Sequence, residues 1–121
     1  MPRMKFSHST RLRLLADEQI AMGPGKASLL EAIHRTGSIS AAAKALNMSY
    51  RRAWLLVETM NACFESPLVA ASKGGSGGGG TTVTPTGQQV LAAYRKLEHD
   101  IAALVEQQRD QLQTLLRNPH S

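Results

Sequence analysis

The stretch from Thr36 to Met60 constrains the fold most, because it is typical of two short helices joined by a tight turn. Ser38 or Ser40 can cap the first helix, since a hydroxyl oxygen accepts from the free N–H groups of a first turn. Asn47 can take the left-handed conformation that ends a helix, and Ser49 can cap the second helix. The residues predicted to share a core are Leu46, Ala53, Val57 and Met60.

The second helix carries Tyr50, Arg51 and Arg52 in its first turn. Hydroxyl, aromatic and guanidinium groups at an exposed helix N-terminus suit a DNA major groove. The alternative is an ordinary helical hairpin with a solvated basic end. Trp54 could touch DNA, but a lone large aromatic is more often a core anchor, which we favour. The DNA-binding residues predicted in this pair are Ser38, Ser40, Lys44, Ser49, Tyr50, Arg51 and Arg52.

Charge supports a polyanionic partner. The 121 residues suit one domain and include 14 Lys plus Arg against 9 Asp plus Glu, which gives a net charge of +5. No apolar run is long enough to span a membrane, and no strongly amphipathic basic helix or signal core is evident. The single cysteine, Cys63, excludes an intrachain disulfide and favours a reducing compartment. We expect a cytoplasmic protein in which Cys63 is a small buried hydrophobe.

The segment before the helix pair contains a short candidate strand and a helix. Residues 11–15 alternate in polarity, which predicts a strand, and residues 23–26 form a turn. A helix over residues 27–35 then ends at Gly37. The turn differs from a phosphate-binding loop at two required positions, so Lys26 is predicted to touch a DNA phosphate or nothing.

Two predicted strands flank a glycine-rich run. Residues 68–72 and 81–84 favour strands, and the glycines between them permit a hairpin tip. Such a hairpin, spanning about residues 68–84, would be the wing of a winged helix-turn-helix; the alternative is a flexible linker between two domains. Lys73, Gly74 and Gly75 are predicted to approach the DNA backbone or minor groove.

A long final helix is predicted from Pro85, capped by Thr84, to about Arg117. At 1.5 Å per residue it would be roughly 50 Å long, too long for so small a domain to cover. Apolar residues recur every three or four positions, which favours a coiled-coil seam of a homodimer; packing on the chain's own globular part is the alternative. A twofold dimer would present two recognition helices to neighbouring half-sites. The predicted interface residues are Val90, Tyr94, Leu97, Ile101, Leu104, Leu112 and Leu115.

These features resemble the N-terminal DNA-binding domain of ModE-type molybdate-responsive regulators, in the LysR-like winged helix-turn-helix class. The matching segments are 29–33, 36–40, 48–54, 60–61, 67–69, the glycine run and Thr84-x-x-Gly87. The resemblance implies a mainly α fold with a small β-wing, and a dimeric transcription factor whose recognition helix begins at Ser49. The expected division is a DNA-binding domain over residues 1–84, a dimerisation helix over 85–117 and a tail over 118–121.

Regulators of this type carry molybdate-binding domains after the long helix, and nothing in this chain resembles one. We therefore expect no cofactor and no molybdate site here. Constitutive action, sensing through a separate sensor protein and sensing through the dimer interface all remain open. The four histidines are scattered without metal-ligand or triad spacing, so no metal site and no enzyme is predicted. The resemblance implies a sequence-specific regulator linked to molybdenum metabolism. The alternative is an architectural or protein-interaction dimer that binds DNA weakly.

Overall fold

The computed structural model describes residues 4–72 and 80–117. It is mainly helical with two small antiparallel sheets, which confirms the predicted fold class. The elements in chain order are β1 Leu14–Ala16, β2 Gln19–Met22, α1 Pro24–Thr36, α2 Ile39–Ala45, α3 Tyr50–Cys63, β3 Val69–Ser72, β4 Gly80–Val83, α4 Pro85–Gln108 and α5 Asp110–Leu115. The chain forms two compact units, residues 11–94 and residues 1–10 with 95–121.

The core of the 11–94 unit collects apolar side chains from every helix of that unit. α1 buries Leu29, Leu30 and Ile33 completely, because these residues recur on one helical face. Small alanines of α2 and α3 let the helices approach closely. The other large side chains fully buried in this core are Met22, Met60, Leu68 and Tyr94.

An N-terminal hairpin covers part of this core and was only partly predicted. β1 begins at Leu14 rather than Arg11, and β2, which pairs with it antiparallel, was missed. The turn uses Asp17 in a left-handed conformation, with φ of 54°. Strands of three and four residues show too little alternation to be recognised, and the turn lacks the glycine that usually indicates a hairpin.

The β3–β4 hairpin confirms the predicted strands on either side of the glycine run. Val69 pairs with Val83 and Ser72 with Gly80. The Thr81 N–H donates to the Gly37 carbonyl at 2.9 Å, which joins β4 to the end of α1. Lys73, Gly74 and Gly75, the residues predicted at its tip, lie outside the described residues.

α4 begins as predicted and is packed tightly at its start. The Gly87 N–H donates to the Thr84 hydroxyl at 3.0 Å, which confirms Thr84 as the cap. A Cβ at Gly87 would overlap the Leu68 carbonyl oxygen and lie 2.8 Å from the Val83 Cγ1 atom. Only glycine therefore permits this close approach of helix and hairpin.

The final helix does not run to Arg117 as predicted. It is interrupted at Arg109, whose ψ of −15° departs from the value of about −42° in a regular α-helix, and α5 ends at Leu115. In the unit formed by residues 1–10 and 95–121, the Phe6 N–H donates to the Gln113 side chain at 3.0 Å, and the Arg109 side chain donates to the Phe6 carbonyl at 2.8 Å. The Phe6 backbone is thus held by the side chains of Arg109 and Gln113.

Tyr94 corrects the predicted dimer stripe. Its side chain is 1% exposed and its hydroxyl donates to the Leu12 carbonyl at 2.7 Å, so it belongs to the core of the 11–94 unit. The four leucines predicted in the stripe are exposed, whereas Val90 and Ile101 are half-buried. Helical spacing identified the apolar face, but periodicity does not say whether the face packs within the chain or against another chain.

Candidate nucleic-acid interface

α2 and α3 form a tight helix-turn-helix fixed by side-chain caps. The Ser38 hydroxyl accepts from the Ala41 N–H at 3.1 Å, which selects Ser38 over Ser40 as the cap of α2. The Ser49 hydroxyl accepts from the Arg52 N–H at 3.1 Å and caps α3. Asn47 turns the chain between them with φ of 56°. These interactions confirm the predicted local structure and fix the start of α3.

The two faces of α3 have different chemistry. Ala53, Val57 and Met60 are buried against the rest of the unit. At its start α3 presents Tyr50, which is 55% exposed, and the exposed Arg51 to solvent. Its first turn contains no acidic residue, so the positive end of the helix dipole is not neutralised there. This end of α3 can attract phosphates and present hydrogen-bond donors to base edges.

Trp54 corrects the favoured prediction of a core anchor. Its side chain is 43% exposed and lies one turn after Tyr50, so the two aromatic side chains share the outer face of α3. The buried positions 53, 57 and 60 already fill the inner face. Aromatic rings next to a guanidinium offer stacking and cation–π contacts to a nucleic acid.

The remaining predicted residues of the pair are available at the surface. Ser40 and Lys44 are exposed on α2, and Arg52 is exposed at the start of α3. Ser38 and Ser49 use their hydroxyl oxygens as helix caps, so their main contribution is to position the helices. The helix pair thus brings together cationic, aromatic and hydroxyl groups on successive segments of one compact unit.

Asn61 is a positioning residue that the sequence reasoning did not single out, although it lies in a segment that carried the family resemblance. Its Oδ1 accepts from the N–H groups of Leu68 and Val69 at 2.8 and 3.1 Å, and its Nδ2 donates to the Val69 carbonyl at 3.0 Å. One amide side chain thus joins the last turn of α3 to β3. The recognition helix and the hairpin are held in a fixed relation by these three hydrogen bonds.

Lys26 is the buried cation of this unit. Only 8% of the residue is exposed, and burial lowers the pKa of its ammonium from 10.5; the nearby Arg52 charge adds to this shift, while Cys63 opposes it. Cys63 itself is half-buried, not fully buried as expected, and its thiol lies 3.5 Å from the Gln19 side-chain oxygen. Lys26 is therefore less available to a partner than a surface lysine, unless the partner enters the surrounding cleft.

Within residues 4–72 and 80–117, no three histidine, cysteine or acidic side chains come together as a metal site would require. No helix in the same residues is long and apolar enough to cross a lipid bilayer.

Comparisons with known proteins agree with this geometry. The family model for bacterial regulatory helix-turn-helix proteins of the lysR family matches residues 26–88, which run from the first turn of α1 to the start of α4. The fold is also similar to the crystal structure of a LysR family transcriptional regulator, with a TM-score of 0.52 and 18% identity, over 69% of this chain and 27% of that one.

Curated relatives are similar over most of this chain. The molybdenum-pterin-binding protein MopB of Rhodobacter capsulatus is 46% identical over 84 residues, 69% of this chain and 31% of MopB. The molybdenum transport protein ModE of Azotobacter vinelandii is 39% identical over 102 residues, 84% of this chain and 38% of that protein. The chain thus spans about a third of the length of these relatives.

Proposed function

We propose, because this chain belongs to the lysR family of bacterial regulatory helix-turn-helix proteins, that it is a transcriptional regulator that binds double-stranded DNA sequence-specifically through α3. The observation that carries the proposal is the capped start of α3, with Tyr50, Arg51 and Trp54 exposed on one side and a buried apolar side that fixes its position.

The side chains divide into base-reading and backbone-binding groups. Arg51 can donate two hydrogen bonds to a guanine edge, the commonest specific contact in a major groove. Tyr50 and Trp54 supply apolar and stacking surface beside it. Lys44 and Arg52 bind phosphates and provide salt-dependent affinity, to which Lys73 of the wing contributes.

We also assign a homodimer to this regulator. Leu97 and Leu104 lie seven residues apart on α4 and are 43% and 53% exposed. Apolar residues at this spacing favour a helix-to-helix seam, since each can insert between side chains of a facing helix. Leu112 and Leu115 of α5 extend the exposed apolar surface. A twofold dimer of this kind places two copies of α3 on successive half-sites of one DNA face.

The names of the relatives connect the regulated genes with molybdenum. MopB is named as molybdenum-pterin-binding and ModE as a molybdenum transport protein. We assign DNA recognition, and neither molybdate binding nor catalysis, to the residues of this chain.

The decisive experiment is selection of binding sites from a random duplex pool, with and without molybdate, followed by band-shift titration of variants. Arg51→Ala is expected to weaken binding of the selected site by about 1–3 kcal/mol and to relax the base preference at one position. Arg117→Ala removes the same charge outside the helix-turn-helix and serves as the matched control.

Two results would contradict the proposal. A pool that enriches no motif would favour the architectural or protein-interaction dimer. Equal affinity of wild type, Arg51→Ala and Arg52→Ala for an enriched site would show that another surface reads the DNA.

A further inference from the structure

A cleft of about 350 Å³ lies beside the start of α1, within the 11–94 unit. Four cationic side chains line it: Arg11, Arg13, Lys26 and Arg52. Residues 23–25 form its floor, Ile20 and Leu56 supply apolar walls, and no carboxylate is among the lining residues. Four like charges around one concave surface repel each other, and this repulsion is relieved when an anion enters.

The environment of Lys26 is a second, independent observation that points to an anion in this cleft. Only 8% of this residue is exposed, because its aliphatic stem is buried, but its ammonium still reaches solvent: within the described residues, every fully enclosed side-chain nitrogen or oxygen has a hydrogen-bond partner. No hydrogen bond or ion pair joins the Lys26 ammonium to any other residue in the described parts of the chain. Its side chain lines the cleft instead. Burial also lowers the pKa of this ammonium, and Cys63 partly opposes the shift.

The backbone adds donors at the same place. α1 has 13 residues and begins at Pro24; the N-cap residue before it, Gly23, offers no side-chain cap, and the first turn contains no acidic residue. Within the described residues, the structure has no backbone hydrogen bond from the N–H of Gly25 or of Lys26. Free N–H groups at a helix N-terminus point outward along the helix axis and bind oxyanions.

We propose that this cleft binds a phosphate-type oxyanion, held by Lys26, Arg11, Arg13 and Arg52 and by the free N–H groups at the start of α1. The anion is either free in solution or a backbone phosphate of bound DNA. In both cases it contacts Arg52, so occupancy of the cleft fixes a side chain at the start of the recognition helix.

The test begins with inorganic phosphate and the full chain labelled with nitrogen-15. Phosphate replaces chloride at constant ionic strength while amide signals are recorded. If the anion is free, the Gly25 and Lys26 amide signals shift saturably, and Lys26→Met weakens the phosphate affinity about tenfold, as expected for loss of one charge-assisted hydrogen bond. Lys96→Met removes an exposed lysine charge elsewhere and is expected to bind phosphate as the wild type does.

The second arm measures DNA affinity against salt concentration. If the anion is a DNA phosphate, free phosphate causes little change, but Lys26→Met lowers the slope of log affinity against log salt by about one. Arg13 is exposed, so Arg13→Gln is expected to fold. It should weaken phosphate binding if the anion is free, or lower the salt slope if the anion is a DNA phosphate. This variant replaces Lys26→Met if Lys26→Met fails to fold.

The proposal is overturned if phosphate gives no saturable shift while the salt slope is unchanged, or if Lys26→Met and Lys96→Met bind phosphate equally well and have equal slopes. The phosphate arm needs no DNA, so a saturable shift that depends on Lys26 supports the proposal even if α3 reads no sequence. Selective DNA binding that is indifferent to Lys26 and Arg13, together with no saturable phosphate shift, overturns the cleft and leaves the proposed function standing.

Discussion

Replacement of Asn61 by alanine is expected to lower the free energy of unfolding, because it removes the hydrogen bonds that join the end of α3 to the wing. The substitution removes three hydrogen bonds to the backbone of residues 68 and 69. Leu68 and Val69 are 0% and 5% exposed, so water has little access to the N–H groups left without an acceptor. A buried polar group without a partner costs about 1–3 kcal/mol of folding free energy. Two such N–H groups are expected to cost about 2–4 kcal/mol together, because water that enters the vacated space offsets part of the loss.

For a unit of this size, that loss corresponds to a fall in the melting temperature of roughly 10–20 °C. Urea denaturation followed by circular dichroism measures the free energy of unfolding directly. Asn61→Asp is the matched control, because it retains the oxygen that accepts from both N–H groups and loses only the donor to the Val69 carbonyl; it is expected to be less destabilising than alanine. A free energy of unfolding for Asn61→Ala within about 0.5 kcal/mol of wild type would refute this reasoning, since surface substitutions have effects of that size.

Four further predictions concern packing, DNA, assembly and pH. Gly87→Ala is expected to destabilise the fold by about 1–3 kcal/mol through steric overlap, despite alanine's higher helix propensity; an unchanged urea midpoint would contradict this. Trp54→Ala should weaken binding of the selected site in a band-shift on protein whose folding is checked by circular dichroism; equal affinity would place the ring outside the interface. Replacing both Leu97 and Leu104 by serine should convert a dimer to monomer in sedimentation equilibrium, because each buried leucine contributes about 1.5–3 kcal/mol; an unchanged mass would exclude this seam. Burial lowers the pKa of Lys26 from 10.5, so its ammonium destabilises the fold at neutral pH and less so as pH rises through the lowered pKa towards 10.5. In chloride buffer, Lys26→Met should therefore unfold at higher urea than wild type at pH 7, and the difference should shrink at pH 10; a constant difference would contradict the assigned cause.

Local chemistry determined the helix boundaries around the candidate DNA-binding surface. The hydroxyls of Ser38, Ser49 and Thr84 accept from backbone N–H groups three residues later, and such caps depend only on neighbouring residues. Gly37 and Asn47 follow their helices with positive φ, a conformation that glycine tolerates because it has no Cβ and asparagine because its side chain is short and polar. These interactions are short in sequence, so the residues alone predict them. The charged and aromatic start of α3 follows from the same local information.

Tertiary contacts decided which faces remain open. Trp54 lies outside the core because Ala53, Val57 and Met60 already occupy the inner face of α3, whereas Tyr94 leaves the predicted dimer stripe because the Leu12 carbonyl accepts its hydroxyl. Lys26 is enclosed by arginines from segments that are distant in sequence. Sequence periodicity specifies which residues share a face of one helix, but burial depends on which distant segments fold against that face. The sequence by itself therefore determined the recognition element and its caps, and only the folded chain decided where its aromatic ring, its buried lysine and its tyrosine hydroxyl would lie.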